Sequence, residues 1–107
     1  MSESRLVYEI MQELGRHGAV FRTNAGTFYA KSGRRISGLP KGFSDLLFIC
    51  PDGVACFVEV KAGRNKPSPE QEAFIEKMQG LGARAGVARS VAEAAHICGL
   101  VIMEQSS

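Results

Sequence analysis

Apolar positions recur at helical spacing near the start of the chain. Leu6, Val7, Ile10, Met11 and Leu14 form one stripe within residues 3–16, and Gly15 and Gly18 suit the exit, so an amphipathic helix is predicted there. The period then changes. Val20 to Thr23 reads as a short strand, and residues 24–42, rich in Gly, Ser, Lys and Arg, read mainly as an exposed loop with room for a short hairpin. Asp45 to Cys50 is apolar after its first residue. Pro51-Asp52-Gly53 is a turn signal, because proline fixes φ and glycine accepts a positive φ. Val54 to Lys61 is a second apolar strand, and so short a connection makes the two an antiparallel hairpin.

Ser68-Pro69-Glu70-Gln71 opens a second helix. Ser68 is the expected N-cap, Pro69 fits the first helical position and Gln71 completes a capping box. Ala73, Phe74, Met78 and Leu81 supply its expected apolar stripe, and Gly82 stops it. Ala85 to Ala88 reads as a strand. Ser90-Val91-Ala92-Glu93 is another capping box, starting a short helix to about residue 97, and Leu100 to Met103 is expected as a last strand. The predicted order is αβ(β)ββαβαβ. The expected class is α/β, a mixed sheet flanked by helices, in a single domain over residues 1–107.

Charge and cysteine usage narrow the picture. Thirteen basic and eleven acidic residues give a net charge of only +2, too mild to identify a nucleic-acid partner by itself. The distribution is more informative, since Lys31, Arg34, Arg35 and Lys41 crowd into one stretch. Cys50, Cys56 and Cys98 have no CxxC or Cys/His spacing, which argues against a zinc site and for buried free thiols in a reducing compartment. The start of the chain lacks the apolar run of a signal peptide, and no stretch approaches a membrane span. A cytoplasmic location is therefore expected, in a bacterial or phage-encoded protein.

The candidate chemistry sits at the open end of the predicted hairpin. Side chains alternate along a strand, so Glu59 and Lys61 share one face while Val58 and Val60 take the other. Asp45 begins the preceding strand, and antiparallel pairing brings its start beside the end of the next. Two carboxylates and an ammonium then converge at one sheet edge, a hard-oxygen site suited to Mg²⁺ or Mn²⁺. Surface charge is the plain alternative for a Glu-x-Lys pair. Against it stands the apolar character of the rest of the hairpin, where an unpaired polar group is costly.

These residues, in this order, resemble a known nuclease family. Asp45, a turn and Glu59-Val60-Lys61 resemble the PD-(D/E)XK signature, with Ser44-Asp45 standing where Pro-Asp is usual. Asn24-Ala25-Gly26, Gly42-Phe43-Ser44-Asp45-Leu46, Val58-Glu59-Val60-Lys61, Ser68-Pro69-Glu70-Gln71 and Ala88-Arg89-Ser90 together resemble its VRR-NUC branch across nearly the whole chain. The resemblance implies a restriction-endonuclease-like fold and a Mg²⁺- or Mn²⁺-dependent endodeoxyribonuclease. Asp45 and Glu59 would hold the metal, the backbone carbonyl of Val60 would add a ligand, and Lys61 would orient water and neutralise phosphate charge.

The family also places an acidic residue on the first helix. Glu3 and Glu9 are the candidates, and Glu3 is preferred because it shares the stripe of Leu6, Val7 and Ile10. Its alternative role is to favour the helix N-terminus electrostatically. Gln71 matches a family position near the active site, beside its capping role. Lys31, Arg34, Arg35, Lys41, Arg64 and Lys66 are the expected DNA-backbone contacts, with Phe28 and Tyr29 as bases' stacking partners or plain hairpin packing. Stand-alone members resemble Holliday-junction resolvases, which implies a homodimer cutting branched DNA. The residues leave open a non-catalytic DNA-binding module, a nuclease acting on ordinary duplex, and an interaction protein with decorative charges.

Overall fold

In the computed structural model, which describes residues 2–25 and 27–101, the first stripe becomes α1, Glu3–Gly15. Ser2 caps it, its Oγ accepting from the Arg5 amide at 3.1 Å. Leu6, Val7, Ile10 and Leu14 are buried, and Met11 packs half-buried against the same core. The chain turns through Gly18 into β1, Ala19–Arg22. A Cβ at Gly18 would collide with the Ile49 carbonyl, so the residue is required by close approach of two backbones.

β2 (Thr27–Tyr29) and β3 (Arg35–Ser37) form a separate antiparallel pair, Thr27 opposite Ser37 and Tyr29 opposite Arg35. The short hairpin for which the sequence left room within 24–42 is thus present, as two strands where the element order allowed one. It joins the domain at its base, where Leu39 donates its amide to the Asn24 carbonyl at 2.7 Å and Ala25 bridges Leu39. Gly26 and the side chain of Phe28 lie outside the described features.

β4 (Leu46–Ile49) and β5 (Ala55–Val60) are the expected hairpin, with Leu46 opposite Val58 and Ile49 opposite Ala55. Cys50 and Val54 close it, the Cys50 amide donating to the Val54 carbonyl at 3.0 Å, while Gly53 takes φ +85° in the turn. α2 (Pro69–Gly80) then carries the chain back over the sheet, so β6 (Arg84–Ala88) pairs parallel with β5. α3 spans Val91–Ile97. The main sheet has the order β1-β4-β5-β6, β1 and β4 antiparallel.

Two sequence expectations fail here. Leu100 and Val101 form no strand, Val101 being exposed, and Ile102 and Met103 lie outside the described residues. On α2 the buried side is Gln71, Phe74, Ile75 and Met78, spaced three and four apart; Ala73 is exposed and Leu81 is 74% exposed. Phe74 and Met78 fall on the buried side as expected, but they are joined by Ile75 and Gln71 rather than by Ala73 and Leu81.

The sheet has two different faces. Leu46, Phe48, Cys50, Cys56, Val58 and Val60 join α1 and α3 in the main apolar core. The opposite face carries Phe57 and Glu59 beneath α2. Phe43, Phe57 and Phe74 meet there, with centroids 5.7 Å (Phe43–Phe57), 4.6 Å (Phe43–Phe74) and 5.3 Å (Phe57–Phe74) apart. This aromatic trio closes one side of the space around Glu59.

Candidate active site

Continuing the β4–β5 register by one residue places Asp45 opposite Glu59. Asp45 Oδ2 accepts from the Val60 amide at 2.8 Å, which fixes the carboxylate at the strand end. Its backbone is held as well. The Thr23 amide donates to the Asp45 carbonyl at 2.9 Å, and the Thr23 hydroxyl donates to the Ser44 carbonyl. Buried Ser44 donates through Oγ to the Leu46 carbonyl at 2.9 Å. The serine in place of the usual proline therefore has its own means of shaping the turn into β4. Ser44 was read only as the residue before Asp45, and the part played by Thr23 went unread, since a lone hydroxyl gives no pattern to find.

Glu59 is 1% exposed. Its Oε2 accepts from Gln71 Nε2 at 2.9 Å and lies 3.5 Å from Lys61 Nζ. Its Oε1 is buried without a hydrogen-bond partner among the described residues. Burial pushes the Glu59 carboxyl up to about 7, the neighbouring Asp45 carboxylate adding to the rise and the Lys61 ammonium opposing it. An orphaned carboxylate oxygen beside a second carboxylate is expensive, and a hard cation is the partner that would satisfy both.

Gln71 has two attachments at once. Its Oε1 accepts from the Ser68 amide at 2.8 Å, completing the capping box, while its Nε2 holds Glu59. One amide thus couples the start of α2 to the end of β5, and the capping and site roles coexist in a single conformation. Gln71→Ala should cost about 1 kcal/mol, a fall in Tm of roughly 4–8 °C by thermal denaturation. Glu59 loses its one neutral donor among the described residues in the same variant, so cleavage should fall about tenfold or more. An unchanged rate would place Gln71 outside the site.

The remaining candidates are distributed unevenly. Glu3 Oε1 accepts from the Ala62 amide at 3.3 Å, so α1 reaches the backbone just beyond Lys61. Glu9 instead pairs with Arg5 at 3.2 Å on the outer side of α1. Lys31, Arg34 and Arg35 are exposed on the β2–β3 hairpin, as is Tyr29 at 72%. Lys41 is exposed and 3.7 Å from Glu70. Arg64 and Lys66 are exposed in the loop after Lys61. That loop is tethered by Arg89, whose Nη1 donates to the Gly63 carbonyl at 2.8 Å. Arg89 belongs to the Ala88-Arg89-Ser90 motif, whose local pattern carries no sign of this tether.

The model of the VRR-NUC domain matches residues 5–92. The chain belongs to the VRR-NUC family. A solved structure described as a VRR_NUC domain superposes with TM-score 0.65 at 29% identity, covering 91% of this chain and 94% of the other. No curated protein matches. The family match encloses Asp45, Glu59, Lys61 and Gln71, and it starts after Glu3. The VRR-NUC assignment makes this a nuclease-family domain, which implies DNA as its substrate. Among the described residues no helix is long and apolar enough to cross a membrane.

Proposed function

We propose that this VRR-NUC domain is a Mg²⁺- or Mn²⁺-dependent endonuclease that cuts branched DNA such as a Holliday junction. The observation that carries the reading is the buried, unpartnered Glu59 Oε1 beside Asp45. The two carboxylates would hold the cation, with the Val60 carbonyl as a further oxygen and Glu3 acting through water. A divalent ion at such a site polarises the scissile phosphate and makes a bound water more acidic.

The chain's own groups do the rest. Lys61 brings a positive charge to the phosphate and orients the attacking water, since its Nζ is held within 3.5 Å of Glu59. Gln71 fixes the Glu59 carboxylate so that its free oxygen faces the reaction, and the Val60 amide does the same for Asp45. The aromatic trio of Phe43, Phe57 and Phe74 limits water on the α2 side.

DNA is gripped by exposed cations on both sides of the site in sequence: Lys31, Arg34, Arg35 and Lys41 before Asp45, and Arg64 and Lys66 after Lys61. Such contacts position a phosphate backbone without reading bases, which favours recognition of shape. Two copies related by a twofold axis would present two such sites to a four-way junction.

The test is cleavage of labelled four-way junction and linear duplex in Mg²⁺, Mn²⁺ or EDTA. Cutting of the junction alone, abolished by EDTA, is expected. Equal cutting of both substrates would indicate a duplex nuclease. Binding without cutting would indicate a non-catalytic DNA-binding module.

A further inference from the structure

Cys50, Cys56 and Cys98 come from three separate elements and meet on the face of the sheet covered by α1 and α3. Cys50 follows β4, Cys56 lies in β5 and Cys98 caps the C-terminus of α3. All three are buried, and their sulfurs lie within 4.8 Å of one another. Cys56 Sγ and Cys98 Sγ are 2.8 Å apart, closer than the roughly 3.5–4.0 Å at which apolar atoms pack. They are not placed as two hydrocarbon-like fillers. Cys50 Sγ donates to the Cys98 carbonyl at 3.4 Å, so a hard oxygen also faces the cluster.

A cation stands at its edge. Arg84 Nη1 lies 3.5 Å from the Cys98 carbonyl, the guanidinium sits beside Cys50, and Asp52 holds it at 2.7 and 3.1 Å. The sequence spacing of 50, 56 and 98 gave no warning of this meeting, and the buried-thiol reading did not foresee it.

We propose that Cys50, Cys56 and Cys98 form a three-thiolate site for a soft divalent cation of the zinc and cadmium class, separate from the carboxylate site. Thiolate–zinc bonds of about 2.3 Å set sulfurs roughly 3.8 Å apart around a tetrahedral ion. The closest pair, at 2.8 Å, has to open by roughly 1 Å to reach that spacing, and all three sulfurs already lie within 4.8 Å of one another. The Cys98 carbonyl supplies the fourth direction.

Charge favours a divalent ion. Three thiolates and a dication sum to one negative charge, whereas a monovalent ion leaves two in an apolar core, and the Arg84–Asp52 pair adds no net charge in either case. Binding releases three protons to solvent, one from each thiol, with no change of oxidation state. The site lies about 10 Å along β5 from Glu59 and on the opposite face of the sheet. Its effect is to tie the end of α3 to the β4–β5 turn.

The experiment titrates the full, reduced, metal-free chain with Cd²⁺, reading thiolate-to-cadmium absorption in the ultraviolet, and with Zn²⁺, reading Tm. One equivalent of Cd²⁺ should saturate the band, and Zn²⁺ at a hundred times its Kd should raise Tm by roughly 10 °C. Mg²⁺ should produce no band. Asp45→Asn should keep the band, while Cys50→Ala should weaken Cd²⁺ binding about 100-fold or more. The proposal is overturned if the wild-type chain shows no band at stoichiometric Cd²⁺, or if the band survives Cys50→Ala.

Discussion

Glu59→Gln is expected to lower the cleavage rate by about 10³-fold while making the metal-free protein more stable. The two effects share one cause. In the wild type a carboxylate is buried against Asp45 with one oxygen unpartnered among the described residues, an arrangement that the proposed cation would relieve. A glutamine keeps the acceptor for Gln71, offers an amide to Asp45 and removes the charge. The gain should be about 1–2 kcal/mol near neutral pH, or roughly 4–16 °C in Tm.

The pH dependence follows from the direction of the shift. The folded state holds Glu59 near 7, above its ordinary 4.5, so the folded chain binds this proton more tightly than the unfolded one. Below 4.5 both states are protonated and the group contributes nothing. As pH rises from there through 7, ionisation favours the unfolded chain and stability is lost. The difference in Tm between Glu59→Gln and wild type should therefore be small near pH 4.5 and largest above pH 7, measured in EDTA. DNA binding should persist in the variant. A Glu59→Gln protein that cuts normally, or that melts below wild type at pH 8, would mean that the carboxylate is neither metal-binding nor destabilising.

Gly42→Ala should be strongly destabilising, because it combines a backbone clash with a left-handed backbone conformation. Gly42 has φ +94°, and a Cβ there would sit 2.7 Å from the Glu70 carbonyl oxygen and 2.8 Å from its carbon. These are backbone atoms of α2 and cannot rotate away. Left-handed strain of about 1–2 kcal/mol adds to an overpacking cost of about 1–3 kcal/mol. The expected fall in Tm is roughly 10–20 °C.

Cleavage by the folded fraction should fall too, because Gly42 is where the Phe43-Ser44-Asp45 segment passes the start of the helix carrying Gln71. Gly53→Ala separates the two contributions. Gly53 has φ +85° but nothing within 4 Å of an added Cβ, so that variant should show the conformational cost alone. Equal melting of the two variants would show that the approach of Gly42 to α2 is not tight.

Local rules made much of this fold legible. The α1 stripe, the Pro51-Asp52-Gly53 turn, the Ser68 capping box and the α3 start depend on neighbours within a few residues, and each forms where the sequence places it. The juxtaposition of Asp45 and Glu59 was also readable, because a tight turn fixes the register of its two strands. Where the pattern was read too simply, the structure departs. The α2 stripe holds at Phe74 and Met78 but turns toward Ile75 and Gln71, because packing against β5 and β6 sets which side of the helix is covered. Residues 27–37 form the short hairpin for which the loop-like composition of 24–42 left room. Leu100 and Val101 are apolar enough for a strand but form none.

The sequence by itself determined the elements and the carboxylate–lysine end of one hairpin, since turn geometry and side-chain alternation act over short separations along the chain. Only the tertiary structure decided what surrounds them. The β5–α2–β6 crossover lays Gln71 on Glu59, packing of α1 carries Glu3 to Ala62, and the docking of α3 brings Cys98 to Cys50 and Cys56. Each of these meetings joins residues whose separation carries no periodic signal, and burial of the two sheet faces is the force that makes them.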